Sequence, residues 1–382
     1  MINVTFAVRS IDMGGAQRVT SRIVNQLDLD DKFTITMYSS EKSESFFPLN
    51  ITPTFPTKPI KRVDMVVHRV IEKASFLFFK KKKNTYPSLG RIKEDFFNYI
   101  INTKPDIVVL QEQFILFMED LKIEFPNIKF IYWAHNNIDM LREKYFCETE
   151  QLLLDSFQKC DAVVSLTDYD DKKISNFTQK SYRIYNPLTM DISSEHSKLD
   201  KKIISFVGRI DIPHKGIDYL VEIASMIPAD WKISIAGSGN FFSMHKFQKL
   251  INKYNAKDKI IYKGKLQDKD LSEHYLNSSI FIHTSRWEGF PLVLMEAMNY
   301  GLPIVAFNNT GSNEALSYGE MGLLIKNGDR DSMVKEIVKL SNNHNLLESH
   351  QKKSLNQVQN FSIEKITIEW KNLFTTIMSD AD

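Results

Sequence analysis

The chain has 382 residues, 43% of them hydrophobic and 25% charged, with a formal net charge of +2. At about 150 residues per domain this length predicts two domains, each with ample core material. No apolar run approaches the roughly 20 residues of a membrane span, and the near balance of charge makes no case for a nucleic-acid partner.

Cys147 and Cys160 form neither a disulfide framework nor a zinc spacing and read as thiols of a reducing compartment. The opening MINVTFAVRS passes straight into a strand-like segment, without the charged head and cleavage site of a signal peptide, so a cytoplasmic location is expected.

Five β-rich runs occupy the first half: Asn3 to Arg9, Phe33 to Ser39, Asp106 to Leu110, Lys129 to His135 and Asp161 to Leu166. Segments long enough for crossover helices separate most of them, which argues a parallel sheet covered on both faces. Between Lys58 and Lys104 there are twelve Lys/Arg against four Asp/Glu, densest at FLFFKKKKN (Phe76 to Asn84). Lys80, Lys81, Lys82 and Lys83 beside aromatics suit an anionic membrane surface, and equally suit a solvated basic loop.

Residues 186–202, NPLTMDISSEHSKLDKK, are polar and aperiodic, as an interdomain linker would be. The second half then repeats the plan with Ile203 to Gly208, Trp231 to Gly237, Lys259 to Gly264, Ser279 to Ser285, Pro303 to Phe307 and Gly322 to Ile325. A tail over Ser362 to Met378 has helical spacing through Ile363, Ile366, Trp370, Phe374 and Ile377. The division expected is residues 1–187, residues 188–361, and a terminal helix over 362–382 that packs back toward the first domain. Two doubly wound sheets in tandem would place a ligand cleft between their carboxyl ends.

Four features fall where strand carboxyl ends should lie. Gly14 and Gly15 precede a helix, where they serve a tight turn or let the helix N-terminus face an anion. VGRIDIPHKG puts Arg209 and Lys215 on one loop, two cations able to neutralise a diphosphate or to form surface ion pairs. Gly237 and Gly239 make a Gly-x-Gly turn that lacks the third glycine of a nicotinamide fingerprint. In SRWEGFPLVLMEAMNYG, Pro291 opens an apolar helix that Gly301 ends, and Glu296 sits in its middle. A buried carboxylate must be satisfied, and Glu296 is close enough to the helix start to accept two vicinal hydroxyls of a ligand there. Asp268-Lys269-Asp270 mimics a metal-binding Asp-x-Asp but precedes a helix beginning near Leu271, where an acidic N-cap accounts for it; no metal is expected.

Together, Gly14-Gly15, the VGRID…HKG loop, Gly237-x-Gly239 and EGFPLVLMEAMNYGLP resemble the family 4 nucleotide-sugar glycosyltransferases, with their Glu-x7-Glu signature (Glu288 and Glu296). The resemblance covers Ile203 to about Gly328, including GSNEAL; in the first half it touches only the glycine loop and Trp133 to Asn136.

It implies the GT-B fold, an α/β architecture of two tandem Rossmann-like domains with parallel doubly wound sheets. It further implies that Glu296 binds the donor ribose, Glu288 the sugar hydroxyls, and Arg209 and Lys215 the diphosphate. Backbone at Gly289, Phe290, Pro291 and Leu292 would cradle phosphate, Gly237 would line the donor loop, Gly14 and Gly15 would let the first domain close over the donor, and His135 would stand near the reacting sugar. The reaction implied is retaining transfer from a nucleotide-diphosphate sugar, UDP by family frequency, to a glycan or lipid-linked acceptor. It needs no cofactor or metal, and the basic-aromatic tract at Lys80 to Lys83 motivates a peripheral placement of the cytoplasmic chain on the inner face of the membrane. A nucleotide-sugar epimerase or phosphorylase of the same fold, and a non-catalytic partner subunit, are the alternatives.

Overall fold

A computed structural model describes residues 1–57 and 87–379, so the Lys80 to Lys83 tract lies outside the described residues. The chain divides into two compact units, Met1–Ile184 with Thr367–Asp382, and Tyr185–Ile366.

Among its described residues the first unit holds six parallel strands: β1 (Ile2–Val8), β2 (Phe33–Ser39), β3 (Ile107–Leu110), β4 (Lys129–Trp133), β5 (Ala162–Ser165) and β6 (Ser181–Arg183). Their order is β2-β1-β3-β4-β5-β6, so the chain reverses its direction of growth between β1 and β3. The register runs Ile2↔Phe33 to Val8↔Ser39 on one side of β1 and Val4↔Ile107 to Ala7↔Leu110 on the other. The runs IVVL of β3 and AVVS of β5 are buried throughout, as strands covered on both faces must be. β6 was not anticipated: its three residues, Ser-Tyr-Arg, are half-exposed at the sheet edge and carry no apolar run.

The terminal helix, Ile363–Ser379, follows the predicted span within one residue at each end. All five residues of its predicted stripe are buried, and from Thr367 onward it belongs to the first unit. There Trp370 packs edge-on against Trp133 at 4.7 Å, Phe374 meets Phe33 at 5.9 Å, and Lys371 pairs with Asp30 at 2.6 Å.

The second unit also has six parallel strands: β7 (Ile203–Val207), β8 (Lys232–Ala236), β9 (Ile260–Gly264), β10 (Ile280–His283), β11 (Ile304–Asn308) and β12 (Leu323–Lys326). The order β12-β11-β10-β7-β8-β9 is the doubly wound arrangement whose switch point lies between β7 and β10. Crevices open at such points because successive crossovers leave on opposite faces, so the loops after β7 and β10 are the ones placed to meet a ligand.

Residues 186–202 are irregular but stitched to this unit. Leu188 N–H donates to Phe361 O (2.7 Å), Ser193 N–H to the Asn299 side chain (3.0 Å) and Ser197 N–H to Tyr300 O (2.9 Å). The Ser193 and Ser197 N–H groups, with Asp191 O accepting from Asn299 Nδ2 at 3.0 Å, thereby partner the carboxyl end of the helix Leu292–Asn299, whose last carbonyls and side chains need partners. One helix boundary also differs from expectation. The helix after β9 runs Asp268–Leu276 with Gln267 at its N-cap, so Asp268 and Asp270 occupy its first turn, complementing the helix dipole, and do not cap it.

Candidate active site

The site grows from the carboxyl ends of β7 and β10. After β7, Gly208 to Asp211 lead into a short helix, Ile212–Lys215, capped by the Asp211 side chain on His214 N–H at 3.2 Å. Gly216 ends that helix at φ 61°, where a Cβ would lie 2.1 Å from Thr284 O. Only glycine allows the β7 loop to pack this closely on the residue after β10. The contact is closed by Thr284 Oγ1, which donates to Lys215 O at 2.8 Å.

This brings Lys215 and Glu288 together. Lys215 Nζ donates to Glu288 Oε1 at 2.6 Å, both side chains being largely buried. Burial alone would push the Glu288 carboxyl up, but the Lys215 charge, with His214 and His283 beside it, holds it well below the ordinary carboxylate range. Glu288 is therefore a buried, ionised carboxylate, and its Oε2 accepts no hydrogen bond from a described residue. Lys215, with three N–H donors, retains two for a ligand.

Two histidines frame the pair. The His214 ring stacks on Trp287 at 4.7 Å with planes 9° apart, and its Nε2 lies 2.9 Å from Trp287 O. That carbonyl can only accept, so the proton sits on Nε2 and Nδ1 accepts from Arg209 Nη2 at 3.4 Å. His283, fully buried at the end of β10, meets Ser312 Oγ at 3.1 Å through Nδ1, while its Nε2 stands 3.5 Å from Glu288 Oε1, too long for a good hydrogen bond. Arg209 is different in kind: its side chain is 68% exposed and, among the described residues, only His214 and Asp211 approach its guanidinium.

Glu296 is 2% exposed and is not in the Lys215 pair. The Tyr275 hydroxyl, from the helix after β9, donates to its Oε2 at 2.8 Å. That tyrosine, invisible as a partner in the sequence, accounts for part of the carboxylate's satisfaction inside the core. Pro291 is the N-cap of the helix Leu292–Asn299, one residue before the first turn expected for it. The Phe290 ring is buried against Tyr185 (5.0 Å, stacked) and Phe361 (5.3 Å), anchoring the loop that carries Glu288. The Gly289 carbonyl lies 2.6 Å from where a Cβ on Gly311 would be, so GSNEAL packs against this loop. Its buried acid, Glu314, accepts from the Tyr185 and Tyr318 hydroxyls at 2.8 and 3.0 Å. Gly237 lies against the β7 loop: a Cβ there would be 1.8 Å from Gly208 O.

The remaining candidates belong to the first unit. Gly14, extended at φ −177°, is the N-cap of the helix Gly15–Leu27, and its carbonyl accepts from Arg18 N–H at 3.0 Å. His135 follows β4 with its ring 4.3 Å from Trp133, and neither ring nitrogen has a hydrogen-bond partner among the described residues. Sequence reading missed the support beneath it: buried Asp170 accepts from Asn137 Nδ2 (3.0 Å), Ile138 N–H (2.9 Å) and Thr167 Oγ1 (2.6 Å), fixing the turn after His135.

Burial lowers the basicity of four histidines: His135 to about 3, His274 to about 4, and His283 and His350 to below their ordinary 6.5. His135 and His274 stay neutral when folded down to those values but take a proton in the unfolded chain below pH 6.5, so unfolding gains protons and stability falls as pH falls. Stability is expected to decline from about pH 6.5 to about pH 4, with a slope approaching 1.4 kcal/mol per pH unit for each such histidine. Urea unfolding at several pH values measures the slope, and His274→Gln should remove one histidine's share. A profile flat across that window would mean the folded protein protonates these rings freely.

Residues 190–357 match the family Glycosyl transferases group 1. An uncharacterized glycosyltransferase of Haemophilus influenzae is 27% identical over 368 residues, covering 94% of this chain and 96% of that protein. A Campylobacter jejuni GalNAc-alpha-(1->4)-GalNAc-alpha-(1->3)-diNAcBac-PP-undecaprenol alpha-1,4-N-acetyl-D-galactosaminyltransferase is 21% identical over 386 residues, covering 99% of each. Among solved structures, Anabaena HepE in complex with UDP-glucose superposes with a TM-score of 0.73 at 15% identity, covering 99% of this chain and 100% of that one. Residues 190–357 form a glycosyl transferases group 1 domain, the fold is GT-B, and the chain is a glycosyltransferase.

Proposed function

We propose that this glycosyltransferase moves a sugar, with retention of its anomeric configuration, from a UDP-sugar to a glycan or lipid-linked acceptor in the synthesis of a surface polysaccharide. One observation carries the reading: an ionised, buried Glu288 held 2.6 Å from Lys215 at a strand switch point, with the open guanidinium of Arg209 on the same loop. Glu288 Oε2 accepts hydroxyls of the transferred sugar. Lys215 and Arg209 meet the charge that grows on the departing diphosphate, in a water-poor setting where fixed charges act strongly. With those two cations in place, the leaving group is stabilised without a metal. Glu296, steadied by Tyr275, accepts the ribose hydroxyls. His135, Gly14 and Gly15 keep the roles implied by the resemblance to family 4.

The complex named for HepE supports UDP as the donor base, and the undecaprenol-linked acceptor in the Campylobacter enzyme's name supports a lipid-linked glycan. Such an acceptor would draw the chain to the inner face of the membrane from the cytoplasm.

Thermal unfolding against a panel of UDP-, GDP- and ADP-sugars tests the donor. A ligand at 100 times its Kd adds about 2.7 kcal/mol to the folded state, so a UDP-sugar should raise Tm clearly and the others little. Glu296→Gln should weaken UDP binding about 10-fold, the loss of roughly one charge-assisted hydrogen bond, while the protein stays folded. An unchanged Kd in that variant sinks the ribose assignment; a GDP- or ADP-sugar giving the large shift sinks UDP. Activity that survives exhaustive chelation is expected, and its complete loss would require a metal.

A further inference from the structure

The helix Phe241–Lys253 follows the Gly237–Asn240 turn, with the Asn240 side chain capping it on Ser243 N–H at 2.8 Å. Phe247 and Ile251 turn inward and are buried. On the opposite face, Phe242, Lys246, Lys249 and Lys253 fall at helical spacing and are all exposed. Phe241 and Phe242, at the tip, are 79% and 76% exposed. The two rings touch each other edge-on at 5.8 Å, and Phe241 stacks at 6.5 Å on the exposed ring of His245. No packing in the unit accounts for presenting two phenylalanines to water.

The stretch that carries this helix is strongly basic between Asp230 and Asp268. From Trp231 to Gln267 there are eight lysines and a single acid, Asp258, a local excess of seven in a chain whose net charge is +2. Lys263 and Lys265, on and just after β9 at the sheet edge, are exposed as well. Two rings without a polar handle gain nothing from a hydrated polyanion, which offers no apolar phase. A bilayer interface offers both an apolar layer for the rings and anionic headgroups for the lysines around them. The geometry points to Phe241 and Phe242 as an insertion tip and to the Lys246, Lys249 and Lys253 stripe as its electrostatic support, together docking the second unit on an anionic lipid surface. Among the described residues no helix is long and apolar enough to cross a membrane, so this contact is an interfacial one. It uses none of the residues of the Lys80 to Lys83 tract and does not depend on which donor the enzyme uses.

Cys147 is exposed and Cys160 buried, so a full-length Cys147→Ser, His245→Cys protein can carry an environment-sensitive fluorophore beside the tip. With vesicles of phosphatidylcholine and phosphatidylglycerol the dye should shift to the blue. The shift should be absent with phosphatidylcholine alone and should reverse as salt rises from about 0.05 to about 0.5 M, where the screening length contracts severalfold. Phe241→Ser with Phe242→Ser should lower the vesicle partition coefficient about 10-fold or more, with Tm unchanged because both rings are exposed. Vesicles that pellet the protein without any dye shift would place attachment elsewhere and overturn the proposal. So would wild-type partitioning of the double variant, absence of binding at low salt, or a dye response to an acidic polysaccharide and not to vesicles.

Discussion

Lys215→Ala should lower sugar transfer by about 10²–10³-fold, the usual cost of deleting one preorganised group that stabilises developing negative charge. It should also destabilise the second unit by about 3–5 kcal/mol, because Glu288 would be left buried and unpaired. The two effects separate in the double variant with Glu288→Gln. Removing the carboxylate's charge removes the penalty of leaving it alone, so Tm should recover in the double variant while transfer stays low. A coupling energy near zero between the two substitutions would contradict the 2.6 Å contact. Near-wild-type turnover in Lys215→Ala would mean that the diphosphate is held by other groups.

Gly237→Ala should be almost as damaging, for a reason unrelated to charge. At φ 153° the added Cβ would sit 1.8 Å from Gly208 O, a backbone atom that cannot step aside unless the β7 loop moves with it. That loop is already fixed by Gly208 N–H to Ala236 O (3.0 Å) and Ile210 N–H to Ser238 O (2.8 Å), the bonds that set where Arg209 projects. A loss of at least about 3 kcal/mol is expected, a fall in Tm of roughly 6 °C or more for a unit of this size. Gly90→Ala is the control: it lies in the helix Pro87–Thr103 with nothing within 4 Å of its added Cβ, and should stabilise by about 0.5–1 kcal/mol. Equal Tm values for the two variants would discard the packing argument.

Apolar runs mark most of these strands, buried throughout in β3, β5 and β10, which is why eleven of the twelve among the described residues were legible in the sequence within one or two residues. The twelfth, β6, has only Ser-Tyr-Arg and no apolar run, unlike the other edge strands β2, β9 and β12. The partners of the site were legible only in part. Glu288 and Lys215 each stood out, but they lie 73 residues apart and meet because β7 and β10 are neighbours across a switch point, a fact of topology and not of local pattern. Tyr275 was unreadable as the partner of Glu296 for a similar reason: a tyrosine in a helix resembles any other core aromatic until its hydroxyl is placed. His283 carries no motif, and Ser312, though it lies in GSNEAL, gave no sign of being its partner. The polar run over residues 186–202 shows the converse, since polarity signals a need for hydrogen bonds without saying whether water or the protein supplies them.

The division of the chain bears on the order in which the molecule can be completed. The first unit takes residues from both ends of the sequence, so during synthesis its Trp133 has no Trp370 to pack against until the entire second unit has been made. At about 5–20 residues per second that wait lasts on the order of 10 s or more. The second unit is continuous and can finish folding as it emerges. The nascent first unit must meanwhile hold an uncovered indole and the cavity left for Phe374, which makes it the natural client of whatever guards exposed apolar surface at the ribosome. Truncation before Thr367 would leave it permanently in that condition.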